Sequence, residues 1–198
     1  MGFLNTGLLN NSEIRNRYKV FTALLNQTGD DNSQFLYIGT NYGNTLTIGV
    51  TYKIEVNDFE TDFTVVGAPN NNVGTMFIAT GTNPLNQDDG SNGDNVYLSY
   101  NTGTPVVTIL ENSIGNVWFT YESTGVYYLN SNGLFIQDKT YVDCISSNGT
   151  DTYNKGLFAA WNGQDVSSVD NIIIYSWNST IPGPENYNSG KLEIRVYY

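Results

Sequence analysis

The sequence predicts an all-β protein whose larger part is an antiparallel β-sandwich-like domain. Aromatic residues make up 14% of the 198 residues, with 15 Tyr among them, and Tyr and Thr favour half-buried pleated strands. Gly and Asn, which favour tight turns, recur between short apolar runs. These runs follow one another at short intervals along the chain, which is typical of sandwiches and barrels rather than of alternating βα units.

Each predicted element is a short run bounded by Gly, Asn, Asp or Ser. The one predicted helix is short and covers 12–18, with Ser12 as its N-cap. Residues 62–80 are predicted to form a hairpin that turns at Ala68–Asn72, where Pro69 suits the corner. The predicted strands are 18–25, 35–38, 45–56, 62–67, 74–80, 96–100, 106–111, 116–122, 125–129, 133–136, 139–146, 156–161, 171–177 and 191–197.

Alternation assigns faces to the last strands of the chain. In 139–146, the single cysteine Cys144 shares a face with Val142, so it is predicted to pack as a small buried hydrophobe. Consecutive Ile residues in 171–177 predict a strand that is covered on both faces. Strand 191–197 alternates apolar with charged residues and is predicted to be an edge or closing strand with one wet face.

Charge and composition exclude several classes of function. The net charge of −11, with only 8 Lys and Arg, argues against binding to nucleic acid or to an anionic membrane. The absence of histidine removes Ser-His and Cys-His nucleophile pairs and most zinc sites. One cysteine permits no intramolecular disulfide, and no apolar run is long enough for a membrane helix.

Two groups of acidic residues are candidate metal ligands. Asp88, Asp89 and Asp94 form the densest acidic loop, but Gly90 breaks the EF-hand pattern, which favours a solvated loop over a calcium site. A second group alternates along one predicted strand face and is expected to lie in solvent; it consists of Asp58, Glu60 and Asp62. We therefore predict no metal ligands.

Two further hypotheses concern the cleavage or the binding of sugars. Glu111 and Glu122, near Trp118, could be drawn as a glycosidase pair, but their spacing does not single them out from the other acids. We therefore predict no catalytic residue, no cofactor and no enzymatic activity. A glycan-binding platform is the alternative for five aromatic residues that are otherwise expected to fill the core or line interfaces: Trp118, Tyr127, Tyr128, Trp161 and Trp177.

A dense motif lies within 51–84, the segment TYKIEVNDFETDFTVVGAPNNNVGTMFIATGTNP. It resembles a short module found repeatedly in bacteriophage structural proteins, in which a Y-x-I strand precedes DFT-x-x-GA-x-x-N-x-VGT-x-F-x-ATGT. The matching residues are Tyr52, Ile54, Asp62, Phe63, Thr64, Gly67, Ala68, Asn71, Val73, Gly74, Thr75, Phe77, Ala79, Thr80, Gly81 and Thr82.

The flanking segments resemble a different phage virion domain. Residues 14–29 (IRNRYKVFTALLNQTG) and 104–142 are similar to consecutive pieces of a β domain in virion proteins of crAss-like and related tailed phages, which commonly closes with a strand like EIRVY, here 193–197. The resemblance implies a discontinuous outer β-sandwich domain, 1–30 and 104–198, that carries an inserted hairpin-rich module, 31–103. Exposed hairpin tips tolerate such insertions. Residues 147–190 match no part of either pattern.

The resemblance implies a structural virion protein of a tailed phage. We expect an auxiliary, decoration or head-fibre protein on the capsid surface, made in the bacterial host cytoplasm, that associates with itself and with other virion proteins. A tail or adaptor component and a host glycan-binding module are the alternatives. The outer domain is expected to dock and the inserted module to face solvent.

Overall fold

The structure is a computed structural model that describes residues 17–27, 29–39, 42–58, 61–85, 96–136, 138–146, 155–161, 171–178, 183–184 and 190–198. For 146, 155–161, 176–178 and 183–184 it describes the backbone alone. Most of the predicted helix at 12–18 and the acidic loop with Asp88, Asp89 and Asp94 lie outside these residues, as does Glu60.

The described chain is built from β-strands and one 3₁₀ helix, Thr64–Val66, so the predicted all-β class is confirmed. The strands are β1 (Tyr18–Asn26), β2 (Ser33–Tyr37), β3 (Thr51–Asn57), β4 (Met76–Ile78), β5 (Val96–Asn101), β6 (Val106–Asn112), β7 (Val117–Ser123), β8 (Val126–Ser131), β9 (Thr140–Ser146), β10 (Lys155–Trp161), β11 (Asn171–Asn178), β12 (Gly183–Pro184) and β13 (Gly190–Tyr197).

These strands form three antiparallel sheets. Sheet I has the order β6-β1-β13-β9, and sheet II has the order β10-β11-β8-β7 with β12 beside β11. Sheet III has the order β2-β5-β3-β4. Sheets I and II pack face to face over one apolar core, in which β1, β6 and β13 contribute Phe21, Val107 and Ile194, and β7, β8 and β11 contribute Phe119, Leu129 and Ile172.

Alternation predicted the faces of the late strands correctly. Val142 and Cys144 of β9 pack against the sandwich core, and the consecutive Ile residues of β11 are all buried. Strand 191–197 was predicted to be an edge or closing strand with one solvent-exposed face, and that face is confirmed. The edge alternative is wrong, because β13 pairs with β1 on one side and with β9 on the other. Its alternating charges therefore lie on the outer face of sheet I and do not protect an edge.

Sheet III has a core of its own. Ile54 and Leu98 of its central strands pack with Phe63, Phe77 and other residues that all lie between Leu36 and Tyr100. This second cluster coincides with the predicted inserted module, whereas the sandwich core is made almost entirely of residues from the predicted outer domain. The exception is Ile78 of β4, which is buried in the sandwich core.

The two chain segments that join the module to the sandwich run side by side. Asn101 Nδ2 donates to Asp31 Oδ1 at 2.7 Å, and Thr102 N donates to the Asn32 carbonyl at 3.0 Å. Just outside them, β1 pairs with β6, and Leu25 lies opposite Val107. The entry and exit segments are thus adjacent, and β1 is paired with β6 just outside them. The nested layout, with its boundaries at 30/31 and 103/104, stays a prediction.

The motif segment 62–80 is not the predicted hairpin. Asp62 makes a single bridge to Leu85, and the chain then enters the 3₁₀ helix, while β4 pairs with β3. The cause is local hydrogen bonding, since Asp62 Oδ1 accepts from Thr64 N at 2.9 Å and from Thr64 Oγ1 at 2.6 Å. Asn71 Oδ1 accepts from Phe63 N at 2.8 Å, so the polar motif residues build a compact turn.

Two other predicted strand segments are turns. Residues 45–50 lead into β3 through a turn with Gly49 at a φ of +88°, and 133–136 begin at Gly133 with a φ of +69°. Leu134 N donates to Ser131 Oγ at 3.1 Å, which closes the second turn. A positive φ at Gly ends the extended backbone in both places.

Candidate interaction surfaces

The outer face of sheet I combines aromatic rings with charge. Alternation along β1 and β13 points Tyr18, Glu193, Arg195 and Tyr197 away from the core. The rings of Tyr18 and Tyr197 lie 5.4 Å apart, and the Arg195 guanidinium lies 5.4 Å from the centre of the Tyr18 ring. Arg195 also forms an ion pair with Glu193, which accepts from Lys191 Nζ at 3.0 Å.

These contacts fix the charge of this face. Hydrogen bonds from Lys191 and then from Arg195 lower the pKa of Glu193, and hydrogen bonds to Tyr197 and Glu193 raise the pKa of Arg195. This face therefore carries a carboxylate flanked by two cations and a guanidinium packed on an aromatic ring.

A shallow groove of about 500 Å³ crosses the same face between β6, β1 and β13. Its lining includes Thr22, Glu111 and Ser113 beside the charged residues of β13. Ser113 Oγ accepts from Val20 N at 2.8 Å and lies near the Val20 carbonyl at 3.3 Å. The hydroxyl is thus committed to the backbone and is not placed as a nucleophile.

Exposed apolar residues surround the charged centre of the sheet I face. Leu24, Tyr141 and Ile145 are 46%, 51% and 53% exposed. In register, Tyr141 lies beside Arg195, and Ile145 lies beside Lys191. No described strand packs across this face.

A second surface lies on sheet III, where aromatic rings form a row at its edge. Tyr97 of β5 contacts Phe35 and Tyr37 of β2 at 5.7 Å and 5.3 Å between ring centres, and Tyr37 contacts Tyr42 at 5.7 Å. Sequence reasoning did not single out these residues. Phe35 and Tyr37 alternate with the inward-facing Leu36, so the sequence indicated that the two rings share one face of the strand. Alternation alone does not say which face is exposed to solvent.

A third surface is a cleft of about 420 Å³ where the inserted module meets the sandwich, which we call the junction cleft. One wall is the module turn 69–76, and the other is the start of β7 and the turn after β8. Trp118 lines it, together with carboxamide side chains and one hydroxyl, namely Asn70, Asn72, Asn116, Asn132 and Thr75.

The structure separates the acids that were considered as a catalytic pair. Glu111 is exposed on β6 in sheet I, whereas Glu122 is exposed on β7 in sheet II. Asp58 is exposed at the end of β3, and Asp62 is engaged in the motif turn. The described residues contain no group of three His, Cys, Asp or Glu that could hold a metal ion.

The predicted aromatic residues fall into different places. Tyr127 is buried in the sandwich core, and this burial raises the pKa of its hydroxyl, as a core residue requires. Tyr128 is half-buried on the opposite face of β8, and Trp118 is half-buried in the junction cleft. The side chains of Trp161 and Trp177 lie outside the described residues.

No protein-family model matches the chain, and neither curated proteins nor solved structures gave a significant match. Among the described residues, no helix has the length and apolarity needed to cross a bilayer. Any function must therefore be argued from these surfaces and from the sequence motifs.

Proposed function

We propose that this chain is a structural virion protein of a tailed phage, which docks on the capsid surface as an auxiliary, decoration or head-fibre component. The phage assignment is supported by the motif in 51–84 and by the segments 14–29 and 104–142. Its mode of action is association with other virion proteins and with further copies of itself. The observation that carries the proposal is the outer face of sheet I.

The chemistry of this face suits a protein partner. Tyr and Arg are enriched at protein interfaces and among the residues that dominate binding energy. Arg195 is held by Tyr18 and Glu193, so less side-chain entropy is lost on binding than for a free arginine. The exposed rings and aliphatic side chains around it, Tyr141, Ile145 and Leu24, supply apolar area that a partner can cover.

The first test is the composition of purified particles. Quantitative mass spectrometry should find the protein at a fixed copy ratio to the major capsid protein. A fixed ratio to a tail or portal protein instead would favour the tail or adaptor alternative. A protein that is absent from washed particles would contradict the proposal.

The docking face is tested with surface variants. Tyr141→Ala and Ile145→Asp change exposed side chains on sheet I, so they should fold normally but lose retention on particles that lack the native protein. Tyr37→Ala is the matched control, since it removes an exposed ring from sheet III. Equal retention of all three variants would show that sheet I does not dock.

A further inference from the structure

We propose that the junction cleft binds a neutral oligosaccharide. The cleft shares no lining residue with the groove on the outer face of sheet I, so this inference stands independently of the virion proposal. It rests on the shape of the cleft, on the hydrogen-bonding groups that line it, on Trp118 and on the lack of charge. Its volume of about 420 Å³ falls within the range of small-molecule sites.

The walls of the cleft are fixed by their own hydrogen bonds. Asn70 Oδ1 accepts from Asn72 N at 3.0 Å and from Thr75 Oγ1 at 2.6 Å, which holds the module turn. Across the cleft, Asn116 Nδ2 donates to the Met76 carbonyl at 3.0 Å and ties the sandwich to β4. The site is therefore formed before a ligand binds, which lowers the entropic cost of binding.

Other polar groups in the cleft remain available for hydrogen bonds to a ligand. The side-chain amides of Asn72 and Asn132 have no hydrogen-bond partner among the described residues. Each carboxamide offers two N–H donors and an acceptor oxygen. Adjacent hydroxyls of a sugar ring both donate and accept, so they match such a group without any formal charge.

Trp118 supplies the apolar part of the site. Its neighbours Val117 and Phe119 are buried in the sandwich core, so alternation turns the Trp118 side chain outward into the cleft. An indole presents a broad flat face with an N–H at its edge. The C–H face of a pyranose can pack on that ring while its hydroxyls reach the carboxamides.

The lining selects for uncharged ligands. Among the described residues, none that lines the cleft carries a charge, and the chain as a whole has a net charge of −11. An acidic polysaccharide would be repelled by this field and would find no cation in the cleft. A peptide strand that paired with the edge of β7 would not find the Phe119 N–H free, because it already donates to Thr51 Oγ1 at 3.2 Å.

The experiment is a titration of the purified full chain with neutral oligosaccharides, followed by calorimetry and by tryptophan fluorescence. The probes are oligomers of glucose, mannose, galactose and N-acetylglucosamine, with oligogalacturonate as the acidic comparison. At least one neutral oligomer should bind saturably, whereas oligogalacturonate should not. Trp118→Ala should weaken that binding by about tenfold or more, as expected for the loss of a central aromatic anchor.

Two further variants separate a binding defect from a folding defect. Asn132→Ala alters an exposed side chain at the cleft and should weaken binding while leaving the thermal unfolding midpoint unchanged. Tyr175→Ala removes an exposed ring from sheet II outside the cleft and should bind as the native chain does. The proposal is overturned if no neutral oligomer binds, if the acidic oligomer binds best, or if Trp118→Ala and Asn132→Ala both bind with native affinity.

Discussion

The backbone of Gly49 lies directly against the backbone of Val107, where the inserted module meets the sandwich. Val107 N donates to the Gly49 carbonyl at 2.9 Å, and Gly49 N donates to the Ala79 carbonyl at 2.8 Å. A Cβ at Gly49 would lie far inside van der Waals contact with the Val107 carbonyl oxygen. The module is thus joined to β6 by a main-chain hydrogen bond at a place that has no room for a side chain.

Gly49→Ala should therefore destabilise the protein more than a comparable change elsewhere. Gly74 is a matched control because it has the same φ of +88° and nothing within 4 Å of an added Cβ. Both variants incur the cost of a left-handed alanine, roughly 1–2 kcal/mol. Overpacking at Gly49 should lower the free energy of unfolding by about 1–3 kcal/mol more, measured by urea denaturation. If Gly49→Ala and Gly74→Ala lowered the free energy of unfolding equally, the backbone contact between Gly49 and Val107 would not be maintained in solution.

The contact between Thr51 and Phe119 offers a second test of the junction. Thr51 is buried, and its Oγ1 accepts from Phe119 N at 3.2 Å. Thr51→Val keeps the shape but leaves a buried N–H without this acceptor, so the free energy of unfolding should fall by about 1–3 kcal/mol. Thr51→Ser keeps the hydroxyl, so its free energy of unfolding should fall by less. If Val is tolerated better than Ser, the methyl group rather than the hydrogen bond matters there.

Ile78 should couple the module to the sandwich. It belongs to β4 of sheet III but is buried in the core between sheets I and II. Ile78→Ala should lower the free energy of unfolding by about 2–5 kcal/mol. Ile48→Ala, at a position that is 55% exposed, should change it by less than about 0.5 kcal/mol. An Ile78→Ala variant of native stability would contradict the burial of Ile78 in the sandwich core.

The faces of the strands could be predicted from sequence, whereas their positions within the sheets could not. Leu192 and Ile194 alternate with charged residues, and that period fixed their inward side correctly. An edge strand and a central strand with one wet face have the same alternation. The partners of β13 are β1 on one side and β9 on the other. Both are distant from β13 in the chain, and local sequence does not encode that choice.

Sequence reasoning mispredicted the polar motif segment and missed the exposed aromatic row for different reasons. Asp62 and Thr64 lie in a segment with the apolar character of a strand, but their side chains satisfy the backbone locally and favour a turn. Phe35 and Tyr37 alternate as a strand should, yet the larger rings face solvent and Leu36 faces the module core. The junction cleft combines residues from both parts of the chain, so only the tertiary fold could bring it together.

Stability should depend on the ionisation of Asp62. Hydrogen bonds from the Thr64 hydroxyl, the Thr64 amide and Asn71 hold its pKa below the usual 3.8. Because the folded-state pKa is the lower one, the stabilisation is fully present above the ordinary aspartate pKa and is lost as pH falls through the folded-state pKa. Urea midpoints of the native chain and of Asp62→Asn should therefore differ at pH 7 and converge on acidification. A difference that stays constant down to the lowest pH would show that the charge contributes nothing.

Cys144, which is partly buried, should react slowly in the native protein. Its side chain packs against the sandwich core, and burial, with a smaller effect from the charge of Asp143, raises the pKa of the thiol to about 12. The thiolate is the reactive form, so at neutral pH an aromatic disulfide reagent should modify the native chain far more slowly than the urea-unfolded chain. Because this is the single cysteine of the sequence, the released chromophore reports one site, and Cys144→Ala gives the blank. Adding Ile78→Ala should speed the reaction by about tenfold for each 1.4 kcal/mol of stability it removes, if the reagent reaches Cys144 only through opening of the sandwich core. Rapid modification of the native chain, at the rate of the unfolded one, would place the thiol in solvent and contradict the packing of the Cys144 side chain against the sandwich core.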